Sequence, residues 1–448
     1  MRTSSADDSF DIVIVGGGIT GAALAYLASQ ARPALRVALL EAGTLACGTS
    51  SRSSRFLHGG LRYLAQGRVG LVQRLLQGRA ELASLAPHLV QPAPFLLPLG
   101  PGTPHPDWLL RGALALYGAL ERQAPRAAGI TAARRLDAAA TRRAEPLLAG
   151  VPLTGALAYG ELTVNDAALV RALARGAADA AAVVRTHVRC EGLLRDGERV
   201  VGVMARDAPA GDLVQLRARV VIDATGPWTG QWQKASPPKP GGGRDRPRLA
   251  RGTHLVLPAS ALPLRHTLVF FGHDRRALFA SPRGQYVIVG TTDVDHHGSP
   301  DAVVPTSAEV AYLRGALWAA LPDAAARCSG VPVSAFAGVR ALAAPNRTAS
   351  RGTVTSALDR DYVVSWDRPG LLTVRGGKLT LALDGARRAL RALDRARVPL
   401  GLPSLTVPTA GQLRPLPALI PCSPTGLSPS GGSLPADSAR PSLTWRAA

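Results

Sequence analysis

The feature that most constrains the fold is a glycine-rich turn near the start of the chain. Residues 11–15, DIVIV, form an apolar run that is followed at once by three consecutive glycines. A short apolar run bounded in this way is typical of a buried parallel strand. The residues after the glycines predict a helix over 19–30. A strand, a tight turn and a helix in this order predict the first unit of an α/β fold with a parallel sheet.

The glycines of this turn have the spacing of a dinucleotide-binding fingerprint. Gly16 permits the tight turn, Gly18 lets the backbone approach a pyrophosphate, and Gly21 allows close packing of helix on strand. The helix N-terminus offers unpaired N–H groups and a partial positive charge to phosphates. Glu41 ends the second predicted strand, 36–41, where a carboxylate can accept hydrogen bonds from an adenosine ribose. The combination predicts a bound dinucleotide whose ribose carries no 2′-phosphate.

The next segment that matches such a sheet is VVIDATGPW, residues 220–228. In a continuous NAD-binding fold the remaining strands follow at short intervals, but here a long insertion separates them. A dinucleotide-binding domain with long insertions is typical of flavoproteins, so FAD is predicted. The returning strand can place its turn, with Ala224 and Gly226, beside the cofactor. The alternative interpretation is an ordinary buried strand and turn.

The net charge is high, but its distribution argues against a nucleic-acid partner. The chain has 52 Lys and Arg against 31 Asp and Glu, a formal charge of +21. Such a charge would by itself suggest a polyanionic partner. However, the lysines are only Lys234, Lys239 and Lys378, and the arginines are spread along the chain. The sequence has no basic block with interleaved aromatic residues, which a stacking platform for nucleic acid needs.

The cysteines and the termini predict a cytoplasmic protein without a bound metal. Cys47, Cys190, Cys328 and Cys422 are too far apart for a metal knuckle or a CxxC redox pair. The first residues are polar, with no apolar stretch of signal-peptide length. The sequence also has no apolar run as long as a membrane span.

Three stretches depart from the α/β pattern. Residues 1–9 are expected to be a flexible N-terminus. Residues 235–248 are expected to be an exposed loop rich in Pro and Gly, and residues 397–448 a disordered tail rich in Pro and Ser. Between them, helices are predicted over 67–86, 107–121 and 165–182, and strands over 199–205, 213–223, 253–257, 267–271 and 285–290.

A second distinctive stretch is SSRSSRFLHGGLRYL, residues 50–64, which combines serines and arginines with a histidine and a glycine pair. Taken alone, a run of charges usually forms a solvated face of the protein.

Ten segments together resemble the FAD-dependent glycerol-3-phosphate dehydrogenases, members of the glycine/D-amino-acid oxidase-like flavoprotein superfamily. The resemblance covers about residues 10–395 and is most specific in HGGLRYL and APHLV. In chain order the segments are DIVIVGGGITG, TSSRSSRFLHGGLRYL, APHLVQPAPFLLP, NDAALV, ATGPW, GTHLVLP, VGTTDVD, GVRAL, RDYVV and GGKLT.

The resemblance implies an α/β fold class: a discontinuous, Rossmann-like FAD-binding domain with an inserted α+β substrate domain built on a mainly antiparallel sheet. Residues 10–66, 155–234 and 335–396 would form the FAD-binding domain. Residues 67–154 and 249–334 would form the substrate or cap domain. The family usually continues into a helical C-terminal domain, which this chain is expected to lack.

The resemblance also implies the site residues. His254 is the first choice for the general base, with His58 as the rival; Arg62, Tyr63, Arg340 and Lys378 would face the substrate. A phosphomonoester suits such a set because guanidinium forks bind two of its oxygens at once. The implied cofactor-binding residues are Gly16, Gly18, Gly21, Glu41, Thr49, Ser50, Ser51, Ser54, His58, Gly59, Ala224, Gly226, Gly376, Gly377, Leu379 and Thr380.

The implied reaction is oxidation of sn-glycerol 3-phosphate to dihydroxyacetone phosphate, with hydride transfer to FAD and electrons passed to quinone or another acceptor. The family also suggests an anionic membrane surface as a partner, peripheral attachment to the cytoplasmic face of the inner membrane, and a homodimer. Two alternatives stay open: another flavin-dependent amine or hydroxy-acid oxidoreductase of the superfamily, and a truncated flavoprotein without catalysis.

Overall fold

The glycine-rich turn follows a central strand of a sheet of eight strands. The computed structural model describes residues 9–125, 129–208, 211–232, 247–331, 333–342 and 361–418. In the first sheet, β10 lies between β1 and β18 and pairs with both in parallel, and β1 continues in parallel to β2 and β7. Its strands are β1 (Ser9–Val15), β2 (Val37–Leu40), β7 (Val183–Arg185), β8 (Val188–Asp196), β9 (Arg199–Asp207), β10 (Leu213–Asp223), β17 (Tyr362–Arg368) and β18 (Leu371–Gly376).

The second sheet has ten strands and is mainly antiparallel, as the resemblance implies, with β12 and β4 as a parallel pair. Its strands are β3 (Phe56–Leu57), β4 (Val90–Leu99), β5 (Arg134–Asp137), β6 (Gly155–Val164), β11 (Arg248–Pro258), β12 (Thr267–Phe271), β13 (Ala277–Arg283), β14 (Tyr286–Gly290), β15 (Val294–Asp295) and β16 (Ser334–Leu342).

Nine α-helices in the described residues cover the sheets. Helix α1 packs against α5 and α8 on one face of the first sheet, and α6 packs on β11 and β12 of the second. They are α1 (Ile19–Ala28), α2 (Val69–Leu85), α3 (Asp107–Gln123), α4 (Ala138–Ala144), α5 (Asp166–Asp179), α6 (Ser307–Ala320), α7 (Pro322–Arg327), α8 (Ala382–Arg395) and α9 (Arg397–Leu400). None of the helices in the described part of the chain has the length and apolarity that a membrane crossing requires.

Burial on both faces explains why the central strands are almost wholly apolar. Every residue of β2 is buried, and the side chains of β1 alternate between a core under α1 and a core on the opposite face. The sequence of a parallel strand is a continuous apolar run when helices cover one of its faces and further strands cover the other. The predicted strand at 11–15 and helix at 19–30 are therefore confirmed, within two residues at each end.

Three segments pair in a different sheet from the one implied by the predicted domain division. Strands β3, β6 and β16 belong to the second sheet, although their residues were assigned to the FAD-binding domain. Strand pairing joins residues far apart in sequence, so a boundary drawn along the chain cannot show it. The predicted N-terminal segment up to residue 8, and residues 235–246 of the predicted loop, lie outside the described residues, while Arg248 begins β11.

The prediction of a disordered tail from residue 397 is wrong for residues 397–418. This segment contains α9 and places Leu400, Leu402, Leu405 and Leu416 in the main apolar core. Its backbone also donates from Leu416 to the carbonyl of Leu85, at 2.9 Å. Leucines spaced between prolines anchor an irregular segment as well as they anchor a helix, because burial needs only apolar area. Residues 419–448 lie outside the described residues.

Candidate functional site

A cavity of about 1990 Å³ lies at the carboxyl ends of β1, β2, β10 and β18 and extends to the second sheet. Ligand pockets usually measure roughly 300–1,000 Å³. In open α/β sheets ligands bind outside the carboxyl ends of the strands. The cavity is therefore large enough for a dinucleotide together with a small second ligand.

The structure brings most of the predicted site residues to this one cavity. Those that line it are Gly16, Gly18, Glu41, Thr49, Ser50, Ser54, His58, Arg62, Ala224, Gly226, His254, Arg340, Gly376, Gly377, Lys378, Leu379 and Thr380. Gly21, Ser51, Gly59 and Tyr63 do not line it. These four lie behind the wall, where they hold wall residues in place.

The glycine turn has the close backbone packing that its spacing predicts. Gly16 has φ of +110°, and a Cβ there would lie 2.7 Å from the carbonyl oxygen of Ala224. A Cβ on Gly21 would lie 1.9 Å from the carbonyl oxygen of Gly16. Gly18, just before α1, differs, because a Cβ there would meet only Ser50 Oγ, at 3.1 Å. Gly18 therefore leaves an open approach to the backbone at the helix N-terminus.

Glu41 fixes the shape of the loop beside this turn. Its Oε2 accepts a hydrogen bond from the Gly17 N–H at 2.6 Å, and its Oε1 accepts one from the Gly43 N–H at 2.8 Å. A carboxylate has about four acceptor positions, so both oxygens can accept further donors. The side chain lines the cavity and can accept ribose hydroxyls, as the sequence predicts.

The hydroxyls of residues 49–54 are partly used within the protein. Ser50 Oγ accepts from the Ile19 N–H at 2.9 Å, the Thr49 hydroxyl donates to the Val339 carbonyl, and the Ser51 hydroxyl donates to the Gly48 carbonyl at 3.3 Å. These bonds attach the segment to the helix N-terminus and to β16. The predicted donation of these hydroxyls to a cofactor stays a prediction, and Ser51 is not on the cavity wall.

A buried carboxylate supports the second glycine turn. Asp223 ends β10 and is fully buried; it accepts from the Thr225 hydroxyl at 2.6 Å and from Trp232 Nε1 at 3.0 Å. Burial raises the pKa of Asp223, although these hydrogen bonds act in the opposite direction. The Ala224 N–H donates to the Val15 carbonyl at 2.9 Å, which places the turn of residues 224–226 against the first one.

The glycine pair before α8 forms the far wall. Gly376 and Gly377 have φ of +72° and +89°, and a Cβ on Gly377 would lie 2.1 Å from the Tyr362 ring. After this pair the chain forms a 3₁₀ turn, Leu379–Leu381, and continues as α8. Its N-terminal end, with Lys378, lines the cavity.

The glycine pair 59–60 is held by a buried ionic cluster. The Gly59 N–H donates to both carboxylate oxygens of Glu161, at 3.1 and 3.2 Å, and Tyr117 donates to Glu161 at 2.6 Å. Arg79 pairs with the same carboxylate at 2.7 Å, and both side chains are 3% exposed. Removing one partner of such a buried pair typically costs 3–5 kcal/mol. This cluster therefore fixes the turn that carries His58.

His254 lies on β11 and is 2% exposed. Its Nε2 is 2.9 Å from Ser54 Oγ, and its ring stacks on Phe336 with centroids 4.8 Å apart. Its Nδ1 has no hydrogen-bond partner among the described residues. Burial, with the positive charges of Arg340 and Arg55, lowers the pKa of His254 to about 3. The ring is therefore neutral at physiological pH, and one of its two nitrogens carries no proton.

Tyr63 joins two cations of the cavity. The ammonium of Lys378 donates to the Tyr63 hydroxyl and lies 3.9 Å from the ring centroid. Arg62 Nη2 donates to the same hydroxyl at 2.9 Å. Tyr63 itself is only 3% exposed and does not line the cavity; its predicted contact with the substrate stays a prediction. It holds the two cations close together.

Arg340 lies on β16 and is fixed by three partners. Its Nη1 donates to Asp293 Oδ1 at 3.1 Å and to the Thr292 carbonyl at 3.3 Å, and its Nη2 donates to Thr291 Oγ1 at 2.9 Å. The cavity wall thus carries Arg62, Lys378, Arg340 and a neutral histidine, and the charge of Arg340 acts on that histidine. This arrangement can bind a small anion next to a proton acceptor.

A family model described as FAD dependent oxidoreductase matches residues 11–383. The chain belongs to this family. FAD is accordingly the cofactor of this oxidoreductase. The glycine turn fits a bound dinucleotide, because Gly16 leaves no room for a side chain and Gly18 leaves the backbone open to approach.

Relatives of this oxidoreductase carry a more specific name. It is 36% identical over 406 residues to "Glycerol-3-phosphate dehydrogenase 2" of Mycobacterium tuberculosis (strain ATCC 25618 / H37Rv), an alignment covering 89% of this chain and 65% of the relative. It is 34% identical over 385 residues to "Aerobic glycerol-3-phosphate dehydrogenase" of Staphylococcus saprophyticus, covering 85% and 66%. The chain therefore spans about two-thirds of the length of these curated relatives.

A solved structure is also similar to this oxidoreductase. The glycerol-3-phosphate dehydrogenase from Bacillus halodurans, complexed with FAD, superposes with a TM-score of 0.69 at 27% identity, covering 91% of this chain and 68% of that one. The likeness supports the predicted FAD-binding fold.

The low pKa of His254 makes the stability of the holoenzyme depend on pH. When the pH falls from 7.5 to 5.0, we expect His254 to lower the free energy of unfolding by about 2 kcal/mol. Below its ordinary pKa of 6.5 the ring is protonated in the unfolded chain, whereas in the folded protein its pKa is about 3. The unfolded state therefore binds the extra proton, and stability falls as pH falls.

Urea denaturation at the two pH values measures this cost. Over the same pH interval, the free energy of unfolding of the His254→Gln variant should fall by about 2 kcal/mol less than that of the wild type. Equal losses in both proteins would show that the ring does not stay neutral in the folded state.

Sequence reasoning missed several residues of the site. Gly252, Asp274, Arg275, Arg276 and Thr291 also line the cavity. The arginines stand in the turn GHDRRALF between two strands, where charged residues ordinarily face water. Asp293 lies in the segment VGTTDVD, but the sequence predicts no role for its side chain. Its contact with Arg340 depends on the pairing of β11 with β16, which no local pattern shows.

Proposed function

We propose that this oxidoreductase oxidises sn-glycerol 3-phosphate at C2 to give dihydroxyacetone phosphate. The observation that carries the proposal is the set of three cations, Arg62, Lys378 and Arg340, on the same cavity wall as the neutral His254. The names of the relatives support the same substrate.

The cations suit a phosphomonoester. The ester carries nearly two negative charges at neutral pH, and guanidinium groups bind two of its oxygens at once. Arg62 and Lys378 are held on one phenol hydroxyl, and Arg340 is held by Asp293. Their positions are thus set before the substrate enters, so less conformational entropy is lost on binding. Binding energy at the phosphate can then orient C2.

Oxidation at C2 removes a hydride from carbon and a proton from the hydroxyl. When bound, FAD supplies the hydride acceptor. The proton needs a base within hydrogen-bond reach, and His254 is the proposed base because its ring is neutral and lines the cavity. A substrate dianion beside Arg340 would offset the cations that lower its pKa. His58, also on the wall, stays the rival.

The roles of the cofactor-binding residues belong to the same proposal. The turn of Gly16, Gly18 and Gly21 would hold the pyrophosphate and Glu41 the ribose. The remaining positions would surround the ring system; they are Thr49, Ser50, Ser51, Ser54, His58, Gly59, Ala224, Gly226, Gly376, Gly377, Leu379 and Thr380. The N-terminal end of the 3₁₀ turn and α8 would stabilise negative charge at the edge of the ring.

The electron acceptor is proposed to be a quinone or another carrier, and the protein is proposed to reach it at an anionic membrane surface. The formal charge of +21 supports such attachment, since each cation near an anionic surface contributes about 1 kcal/mol. A homodimer is part of the same family-based proposal.

Anaerobic reduction of the purified holoenzyme tests the proposed reaction. The yellow protein should bleach on addition of sn-glycerol 3-phosphate, and dihydroxyacetone phosphate should appear in equal amount. Glycine, D-alanine and lactate should leave the colour unchanged. Bleaching by one of these instead would favour an amine or hydroxy-acid oxidoreductase, and no bleaching by any of them would favour a flavoprotein without catalysis.

A further inference from the structure

A fourth cation, Arg276, reaches the cavity from the turn before β13. Its side chain is 18% exposed and lines the cavity. Its Nη1 donates to Asp293 Oδ2 at 3.3 Å, and its Nε is 3.6 Å from Asp274 Oδ2. Among the described residues, its second terminal nitrogen, Nη2, has no hydrogen-bond partner. A donor on the wall is therefore open to a ligand.

Asp293 joins this cation to the predicted substrate arginine. Its carboxylate is 1% exposed; Oδ1 accepts from Arg340 at 3.1 Å, and Oδ2 accepts from Arg276 at 3.3 Å. The two guanidinium groups thus lie on opposite oxygens of one buried carboxylate. Asp293 is one buried negative charge between two positive charges, and the second carboxylate near them, Asp274, is 43% exposed, so a further anion can still be attracted here.

The backbone leaves room for this arrangement. A Cβ on Gly252 would lie 2.4 Å from Arg340 Nη2 and 2.7 Å from Thr291 Oγ1. The guanidinium of Arg340 therefore passes directly over the backbone of β11. Asp274, the other carboxylate near Arg276, is 43% exposed and accepts from the Tyr312 hydroxyl at 2.7 Å. Solvent screens its attraction far more than that of the buried Asp293.

We propose that Arg276 is a further binding residue for the phosphate of the substrate, and that Asp293 is the positioning residue that aims both Arg276 and Arg340 at it. This inference rests on the proposed function, because it takes the ligand to be a phosphomonoester. Arg276 donates to phosphate oxygens from the side of β13, and Arg340 from the side of β16. Two forks from different strands hold the ester in one orientation, which a single cation cannot do.

Substituting Arg276 by glutamine tests its contact with phosphate. We expect Arg276→Gln to raise the KM for sn-glycerol 3-phosphate about 10- to 100-fold, with a smaller fall in kcat. The dissociation constant of inorganic phosphate, measured by calorimetry on the holoenzyme, should rise by a similar factor. Arg175, which is 66% exposed on α5 and pairs with Asp179 at 2.7 Å, does not line the cavity, so Arg175→Gln is the control and should change neither value by more than about threefold.

Asp293→Asn tests the positioning role. It keeps the size of the side chain and removes the charge that holds both guanidinium groups. We expect Asp293→Asn to bind phosphate more weakly than Arg276→Gln does. In the double variant, which carries both substitutions, the loss of binding free energy should be smaller than the sum of the two single losses, because Asp293 acts partly through Arg276. FAD content and the unfolding midpoint of each variant show whether it has folded.

The outcomes separate this inference from the proposed function. If the wild type binds inorganic phosphate but is not reduced by sn-glycerol 3-phosphate, the proposed reaction fails, and the phosphate titration still tests Arg276. If the wild type is reduced normally and Arg276→Gln keeps both its KM and its phosphate affinity, the assignment of Arg276 is overturned. Additive losses in the double variant would overturn the positioning role of Asp293.

Discussion

Replacing Gly18 by alanine is expected to leave the chain folded and to weaken FAD binding at least about 100-fold, or about 3 kcal/mol. The added methyl would meet only Ser50 Oγ, at 3.1 Å, within the protein, and a serine side chain can move aside by that small amount. The methyl would instead occupy the approach to the backbone at the N-terminus of α1, where the pyrophosphate of a dinucleotide has to lie close.

Fluorescence titration of the apoprotein with FAD measures the effect, and circular dichroism reports the fold. Gly112→Ala is the matched control, because a Cβ at this exposed position of α3 meets nothing within 4 Å. It should keep full FAD affinity and gain up to about 1 kcal/mol of stability. If Gly18→Ala binds FAD as tightly as the control does, the cofactor does not approach this turn.

Arg340→Ala is expected to lower kcat/KM for sn-glycerol 3-phosphate by about 100- to 1,000-fold, with a fall in kcat as well as a rise in KM. Truncating one partner of a buried, hydrogen-bonded charge pair typically costs 2–5 kcal/mol. The loss should reach kcat because the arginine orients the substrate as well as binding it. Arg340→Lys keeps the charge and loses the guanidinium fork, so its kcat/KM should lie between those of the wild type and of Arg340→Ala.

Steady-state kinetics with an artificial electron acceptor give both constants. Arg175→Ala is a suitable control, since this arginine is 66% exposed on α5 and pairs with Asp179, at 2.7 Å, within the same helix. Its kinetics should match the wild type. Unchanged kinetics in Arg340→Ala would remove Arg340 from the substrate site and with it the main support for a phosphorylated substrate.

Local signals predicted the first sheet and its helices well. The strand at 213–223 has the predicted bounds, and Asn165 caps α5 by accepting from the Ala168 N–H at 3.0 Å. In these segments the apolar period and the cap residue are sufficient, because each element is specified by residues close together in sequence.

The second sheet was less visible in the sequence because long-range contacts decide its strands. Strand β6 is buried along its whole length although it contains glycines and Glu161. Its charge is tolerated because Arg79, far away in sequence, pairs with it. The final described segment was misread for a similar reason: its prolines predict disorder, and the core that receives its leucines is built by other parts of the chain.

The sequence predicted the glycine turns of the candidate site, but it did not predict the residues that hold other site residues in place. Glycine turns have a spacing that can be read directly, and seventeen of the predicted residues share one cavity. Asp293 and Glu161 act by holding other residues, and nothing next to them in sequence shows which groups they hold. Positioning residues of this kind become visible only when the strands are paired.

The cavity wall is drawn from both ends of the described chain, with Gly16 near the start and Thr380 near the end. During synthesis the first strand and helix leave the ribosome long before β18 and α8 exist. The nascent chain therefore cannot complete its nucleotide pocket until translation has passed Thr380, so the pocket forms late in the synthesis of the described chain. Contacts so distant in sequence also slow folding.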